Sequence, residues 1–158
     1  MDTINRIVEN NVEIEPAYCK KRGIVLLRQT DNLIFVSGHG PEDQITGVPI
    51  YKGRIGDELT PEEGYLAARE CAIIILGALK DTLGSLDRIE RLVKATGLVN
   101  CGENFTDVNA VMDGFSDTMA DVLEERGYHA RTVMGTHNLP NGNIPVEIEV
   151  IVAVRDNT

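Results

Sequence analysis

Tryptophan is missing from this chain of 158 residues, and its aromatics amount to three Phe and four Tyr. Any core must therefore be mainly aliphatic. Basic side chains are outnumbered, 15 Lys and Arg against 25 Asp and Glu, for a formal net charge of −10. An acidic chain whose only basic cluster is the short loop Lys20-Lys21-Arg22 repels phosphate backbones, so no nucleic-acid partner is expected. Cysteine is scarce and dispersed: Cys19, Cys71 and Cys101 form no C-x-x-C. That excludes a disulfide framework and a cysteine zinc site, and it fits a reducing cytoplasm. The three histidines, His39, His129 and His137, lack the spacing of metal ligands, so no metal is expected. There is no G-x-G-x-x-G and no Walker loop. No apolar run approaches a membrane span, and the first residues do not read as a signal peptide, so a cytoplasmic protein with no membrane partner is expected.

What is present concentrates near the end. Ala130-Arg131-Thr132-Val133-Met134-Gly135 and Pro145–Val154 read as two strands, and Asn141-Gly142 between them is a strong turn signal. A hairpin is therefore expected. In its second strand Val146, Ile148 and Val150 alternate with Glu147, Glu149 and Ile151. Glu147 and Glu149 thus share a face, and two adjacent like charges call for a cation, a ligand or water. Arg131 across the hairpin is the candidate partner for one of them, although the Leu139–Pro145 loop is too long to set the register. A guanidinium can grip a carboxylate with two hydrogen bonds, and a carboxylate can orient or deprotonate water. The plainer reading is a cross-strand ion pair on a solvated face.

The rest of the chain supplies the frame. Ile24–Arg28 and Leu33–Ser37, around Gln29-Thr30-Asp31-Asn32, predict a first hairpin. It opens into Gly38-His39-Gly40-Pro41, where glycines suit a ligand wall. Thr60, Pro61 and Glu63 announce a helix that Gly84 ends. Arg88–Asn100 predicts a long strand with Gly97 as a possible bulge, and Thr106–Arg126 a second helix stopped by Gly127. The order β-β-α-β-α-β-β predicts one α+β domain, a mixed, mostly antiparallel sheet with both helices on one face. The other face, expected to carry Ile151 and Val133, would expose apolar surface, which oligomerisation would cover.

Several segments together resemble the Rid (YjgF) family of imine and enamine deaminases. They are Val36-Ser37-Gly38-His39, Gly84-Ser85-Leu86-Asp87-Arg88-Ile89, Asp107-Val108-Asn109-Ala110, Ala130-Arg131-Thr132-Val133, and Leu139-Pro140 followed by Val146-Glu147-Ile148-Glu149. The resemblance runs from about residue 16 to 154 of a single 1–158 domain. It implies a chorismate-mutase-like fold and a homotrimer around a central barrel, with small carboxylate ligands bound between subunits. It also implies hydrolysis of 2-imino and 2-enamine acids to 2-keto acids and ammonia, without a cofactor. In that family Arg131 would hold the substrate carboxylate and Glu147 would position water. Tyr18, Ser37, Gly38, His39, Asn109 and Val133 would line the cleft. Two positions depart from the family pattern: Val133 stands where a cysteine is usual, and His39 where a glutamine is usual. They suggest a divergent, chorismate-mutase-like branch.

Two rival functions share these residues. A non-catalytic trimer could use the clefts to bind or sense a 2-keto acid, needing Arg131 but not Glu147 as a base. The endoribonuclease or translation-inhibitor labels that the family attracts fit poorly with the acidic charge.

Overall fold

The first helix forms where its capping signals stand. In the computed structural model, which describes residues 23–43 and 45–155, α1 spans Pro61–Leu83. The Thr60 hydroxyl accepts from the Glu63 backbone N–H, and the Glu63 carboxylate accepts from the Thr60 N–H. Two orphan donors of the first turn are thereby satisfied reciprocally. At the other end Gly84 takes φ 78° and its N–H bonds back to the Lys80 carbonyl, a left-handed stop that a side chain would resist. Between the caps, Ala68, Cys71, Ala72, Ile75, Leu76 and Leu79 are buried against the sheet at helical spacing.

Among the described residues five strands make one sheet in the order β1-β2-β5-β3-β4: β1 (Leu27–Thr30), β2 (Leu33–His39), β3 (Ile89–Asn100), β4 (Ala130–Thr136) and β5 (Val146–Val154). The second helix, α2 (Val108–Leu123), lies beside α1 on the same face. The expected α+β architecture, mostly antiparallel with both helices on one side, is therefore the one formed. Ile34, Val36, Val146, Ile148, Val150 and Val152 point into the helix layer, where Val111, Met112, Phe115 and Met119 meet them in a mainly aliphatic core. Burying one such branched side chain stabilises the fold by roughly 1.5–3 kcal/mol. The opposite face has no covering layer among the described residues, and Phe35 (44% exposed) and Met134 (48%) stand open on it. Among the described residues no helix is long and apolar enough to cross a membrane.

The expected terminal hairpin does not form. β4 and β5 are not neighbours; β3 lies between them, parallel to β4 and antiparallel to β5. A twelve-residue strand offers both of its edges, and α2 is long enough to carry the chain over to the far one as a parallel crossover. Asn141 and Gly142 do turn, with φ 53° and 77°, but the turn belongs to a longer excursion. It is tied down by Asn100, whose amide donates to Asn143 Oδ1 and to the Ile144 carbonyl, and by Gly53, whose N–H donates to the Asn143 carbonyl.

Smaller expectations also shift. β1 runs on through Gln29 and Thr30, leaving Asp31-Asn32 as the turn. Gly97 is not a bulge: it pairs regularly with Ile148 and Val133, and its bare Cα admits Met112. The register shifts of β3 lie earlier, between Ile89 and Lys94. Gly127 does not stop α2; Glu124 takes the positive φ of 55°, and Gly127 is needed where the chain passes hard against the Met119 carbonyl. Val133 faces α2 and the core rather than the open face.

Candidate functional site

The sheet divides the predicted site residues into two clusters. Strand registry decides which face each takes, because side chains alternate. On β5, Glu147 lies opposite Leu98 and Glu149 opposite Thr96, on the uncovered face. On β4, Arg131 lies beside Ala95, on the helix face.

The uncovered face holds a cleft of about 250 Å³ lined by Gly38, Thr96, Leu98, Met134, Glu147 and Glu149. Gly38 reaches it through an irregularity in β2. Val36 pairs with Val150 and His39 with Ile148, so Ser37 and Gly38 together face the single residue Glu149. Of the Gly38-His39-Gly40-Pro41 segment, Gly38 lines this cleft. A Cβ on Gly38 would collide with Glu147 Oε1, so this glycine permits the carboxylate its place. Among the described residues none donates a hydrogen bond to Glu147. Burial pushes its pKa above the ordinary carboxylate range, and the nearby Glu42 and Glu149 charges add to the rise. Ser37 is spoken for: its hydroxyl donates to the Val25 carbonyl at 2.8 Å.

The helix-side cluster is built on Arg131. Its Nη1 donates to Asp113 Oδ1 at 2.8 Å and to Ser116 Oγ at 3.1 Å, and its Nη2 donates to Asn109 Oδ1 at 3.2 Å. The guanidinium is 23% exposed and Asp113 52%, so the ion pair sits at the rim. The expected pairing of Arg131 with Glu147 or Glu149 is thereby replaced, for the reason that moved the strand: with β3 in between, Arg131 looks at α2. Asn109 stands in the first turn of α2, after the N-cap Asp107, whose carboxylate accepts from the Ala110 N–H.

His39 belongs to neither cluster. It points into the helix layer, 8% exposed. Its Nδ1 donates to the Ser37 carbonyl at 2.6 Å, and its Nε2 has no partner among the described residues. Burial lowers its pKa, outweighing the Ser37 bond and the Glu42 charge. The ring lies in the helix layer and is not among the residues that line the cleft. Tyr18 lies outside the described residues. Among the described residues no three His, Cys, Asp or Glu side chains gather as a metal would require.

Sequence reasoning missed Asp113, Ser116, Thr96, Leu98 and Met134. The first two carried a signal: Asn109, Asp113 and Ser116 follow helical spacing on one flank of α2. The others depend on β3 and β4 being neighbours, which the hairpin expectation hid.

Comparison with known proteins decides the lineage. A family model described as "YjgF/chorismate_mutase-like, putative endoribonuclease" matches residues 29–149. The chain belongs to this YjgF (Rid) family. Protein TCP17 of Trypanosoma cruzi is 37% identical over 124 residues, 78% of this chain and 76% of that protein. The crystal structure of Atu1372 from Agrobacterium tumefaciens is similar with 32% identity and a TM-score of 0.83, covering 98% of this chain and 94% of the other. RidA from the Antarctic bacterium Psychrobacter sp. PAMC 21119 shares the fold, with a TM-score of 0.57, at 22% identity over 82% of this chain and 86% of the other. The YjgF segment contains both clusters, from Ser37 to Glu149.

Proposed function

We propose that this YjgF-family protein hydrolyses 2-imino acids to 2-keto acids and ammonia, with Glu147 as the base and Arg131 as the carboxylate clamp. The observation that carries the reading is Glu147 itself. It is a half-buried carboxylate of raised pKa, without a hydrogen-bond donor among the described residues, facing a cleft. A carboxylate held that way is a better proton acceptor than a solvated one. The imine carbon is already electrophilic, so the reaction asks for positioning more than for activation. Glu147 takes a proton from water as its oxygen bonds to the imine carbon. That proton passes to the nitrogen, giving a neutral amino-alcohol adduct. Glu147 then takes the adduct's hydroxyl proton and delivers it to the nitrogen as the C–N bond breaks, so the carbonyl forms and ammonia leaves.

The cleft carries two acids, and an anionic substrate needs a cation beside them. Arg131 points to the other face of its own sheet, so the cation would come from a second copy. Among the described residues β4 is an edge strand and the neighbouring sheet face is uncovered, and these features support a site shared between copies, in the homotrimer that the family resemblance implies. The acidic lining also disfavours RNA as the occupant.

The test is ammonia release from 2-iminopropanoate and 2-iminobutanoate, generated in situ by an amino-acid oxidase. Acceleration by the protein that is lost in Glu147→Gln supports the reading. No acceleration with either substrate refutes it, and carboxylate binding retained in Glu147→Gln would then identify a binding module.

A further inference from the structure

Arg131 is held in place by an array that runs well behind it. A guanidinium has five N–H groups, and three of them are used within the chain, on Asp113, Ser116 and Asn109. Among the described residues, one Nη2–H and the Nε–H have no acceptor, which is the number of donors a planar carboxylate takes in a bidentate pair. Whether those two are aimed correctly depends on how firmly the other three are held.

The Ser116 bond is the best supported of the three. His129 Nδ1 lies 2.7 Å from the Gly127 carbonyl, which can only accept, so Nδ1 carries the proton. Burial lowers the pKa of this imidazole and the Arg131 charge lowers it further, against the opposing Gly127 bond. The ring is therefore neutral near pH 7 and its Nε2 is a lone pair. Ser116 Oγ lies 3.2 Å from that nitrogen and has one proton to give it. Giving it there turns the hydroxyl lone pairs toward Arg131 Nη1. The ring cannot swing freely, because Phe115 packs against it edge to face, with centroids 5.6 Å apart and planes at 80°. Phe115 is fully buried. Donation thus has one direction at each step, from His129 to Gly127, from Ser116 to His129, and from Arg131 to Ser116.

We propose that Ser116, oriented by His129, is a positioning residue that aims the Arg131 guanidinium at the substrate carboxylate. This rests on the reading that Arg131 receives that carboxylate. Asp113 alone does not fix the angle, since it is an exposed partner on a flexible side chain and such pairs are weak. A serine on the helix, whose hydroxyl is held by a half-buried imidazole that Phe115 packs against, supplies a fixed second point.

The experiment compares Ser116→Ala, Ser116→Thr and Arg131→Ala in the full chain. It measures KM and kcat on 2-iminopropanoate, and Kd for 2-oxobutanoate by calorimetry. Ser116→Ala is expected to raise KM and Kd about tenfold, as loss of one hydrogen bond to a charged group would. Its kcat is expected to stay within about twofold, because Glu147 and its water are untouched. Ser116→Thr restores the hydroxyl and is expected to recover most of the affinity. Unchanged KM and Kd in Ser116→Ala, with binding lost in Arg131→Ala, overturns the positioning role and leaves the clamp standing. Binding retained in Arg131→Ala removes the clamp itself, and the two failures are thereby told apart. Should Ser116→Ala fail to fold, His129→Gln tests the same relay: a raised KM with kcat held supports it, and an unchanged KM overturns it.

Discussion

Arg131 and Glu147 project from opposite faces of one sheet, Arg131 beside Ala95 and Glu147 opposite Leu98. No rotamer carries one side chain through the sheet to the other. If both act on one substrate, they come from different copies of the chain. Arg131→Ala and Glu147→Gln should then each be inactive alone, yet complement when unfolded together and refolded. Random mixing in equal amounts gives about a quarter of the sites an intact pair, one residue from each copy. Ammonia release near that fraction of the unmutated rate is the expected outcome. Complete inactivity of the mixture, with mixed oligomers verified, rules out a shared site.

Gly38 makes room for the Glu147 carboxylate, and a Cβ there would occupy the place of Oε1. Because the obstructing atom is the end of a flexible side chain, Gly38→Ala should cost the fold less than about 1 kcal/mol. Its effect on turnover should be larger, about 100-fold, because displacing a catalytic carboxylate by an ångström is that damaging. Thermal unfolding alongside kcat/KM separates the two. Equal loss in both would show that Gly38 serves the strand rather than the site.

The fold was largely legible because its signals are local. Thr60, Pro61, Glu63 and Gly84 mark the ends of α1 by short-range hydrogen bonding, and the alternation in Val146–Val154 marks a strand with one buried face. Strand order is not local. Asn141-Gly142 adopts the backbone of a tight turn, and nothing within that segment announces that β3 would enter between β4 and β5. That one misplacement carried the site reading with it. Arg131, Asn109, Ser37, Gly38 and Glu147 were all picked out, but the expected cross-hairpin partnership of Arg131 with Glu147 or Glu149 does not form within one copy, where the sheet puts them on opposite faces. His39 was picked by its neighbours in the chain, and its side chain turned inward because the irregularity at Ser37-Gly38 shifts the alternation by one residue.

Glu147 should set the acid limb of the rate profile. Burial raises its pKa, and the negative charges of Glu42 and Glu149 raise it further. The base form therefore appears at higher pH than for a solvated carboxylate, and kcat/KM should fall on acidification earlier than an ordinary glutamate would dictate. Glu149→Gln removes one of the two repelling charges. The acid limb should then move to lower pH while the plateau holds. A limb that stays in place would assign it to another group.

Asp113 competes for Arg131 while helping to hold it. Asp113→Asn keeps an oxygen that can accept from Nη1 and removes the negative charge. An exposed ion pair is worth up to about 1 kcal/mol, so KM for an anionic substrate should fall by about two- to fivefold, with kcat unchanged. The gain should shrink with added salt, because the charge lies at the rim. A rise in KM would mean that Asp113 holds the guanidinium more than it competes with the ligand.

Stability should decline on mild acidification through the histidines. His39 and His129 both have folded-state pKa values below the ordinary 6.5, chiefly from burial. Above 6.5 both states of the chain leave these rings neutral, and the full stability is present. As pH falls below 6.5, the unfolded chain binds protons that the folded chain refuses, so the unfolded state gains. The loss continues until the folded-state values are reached. The raised pKa of Glu147 acts in the opposite sense, because the folded chain takes up that proton first. Its window opens near the ordinary carboxylate value of 4.5 and extends upward, so acidification through that window offsets part of the histidine term. Melting temperatures recorded from pH 8 downward should stay level to about 6.5 and then drop. Replacing His129 by Gln removes one of the two titrating rings and should flatten the drop. A slope unaltered by that replacement would leave His39, whose Nε2 has no partner among the described residues, as the ring that sets the acid sensitivity.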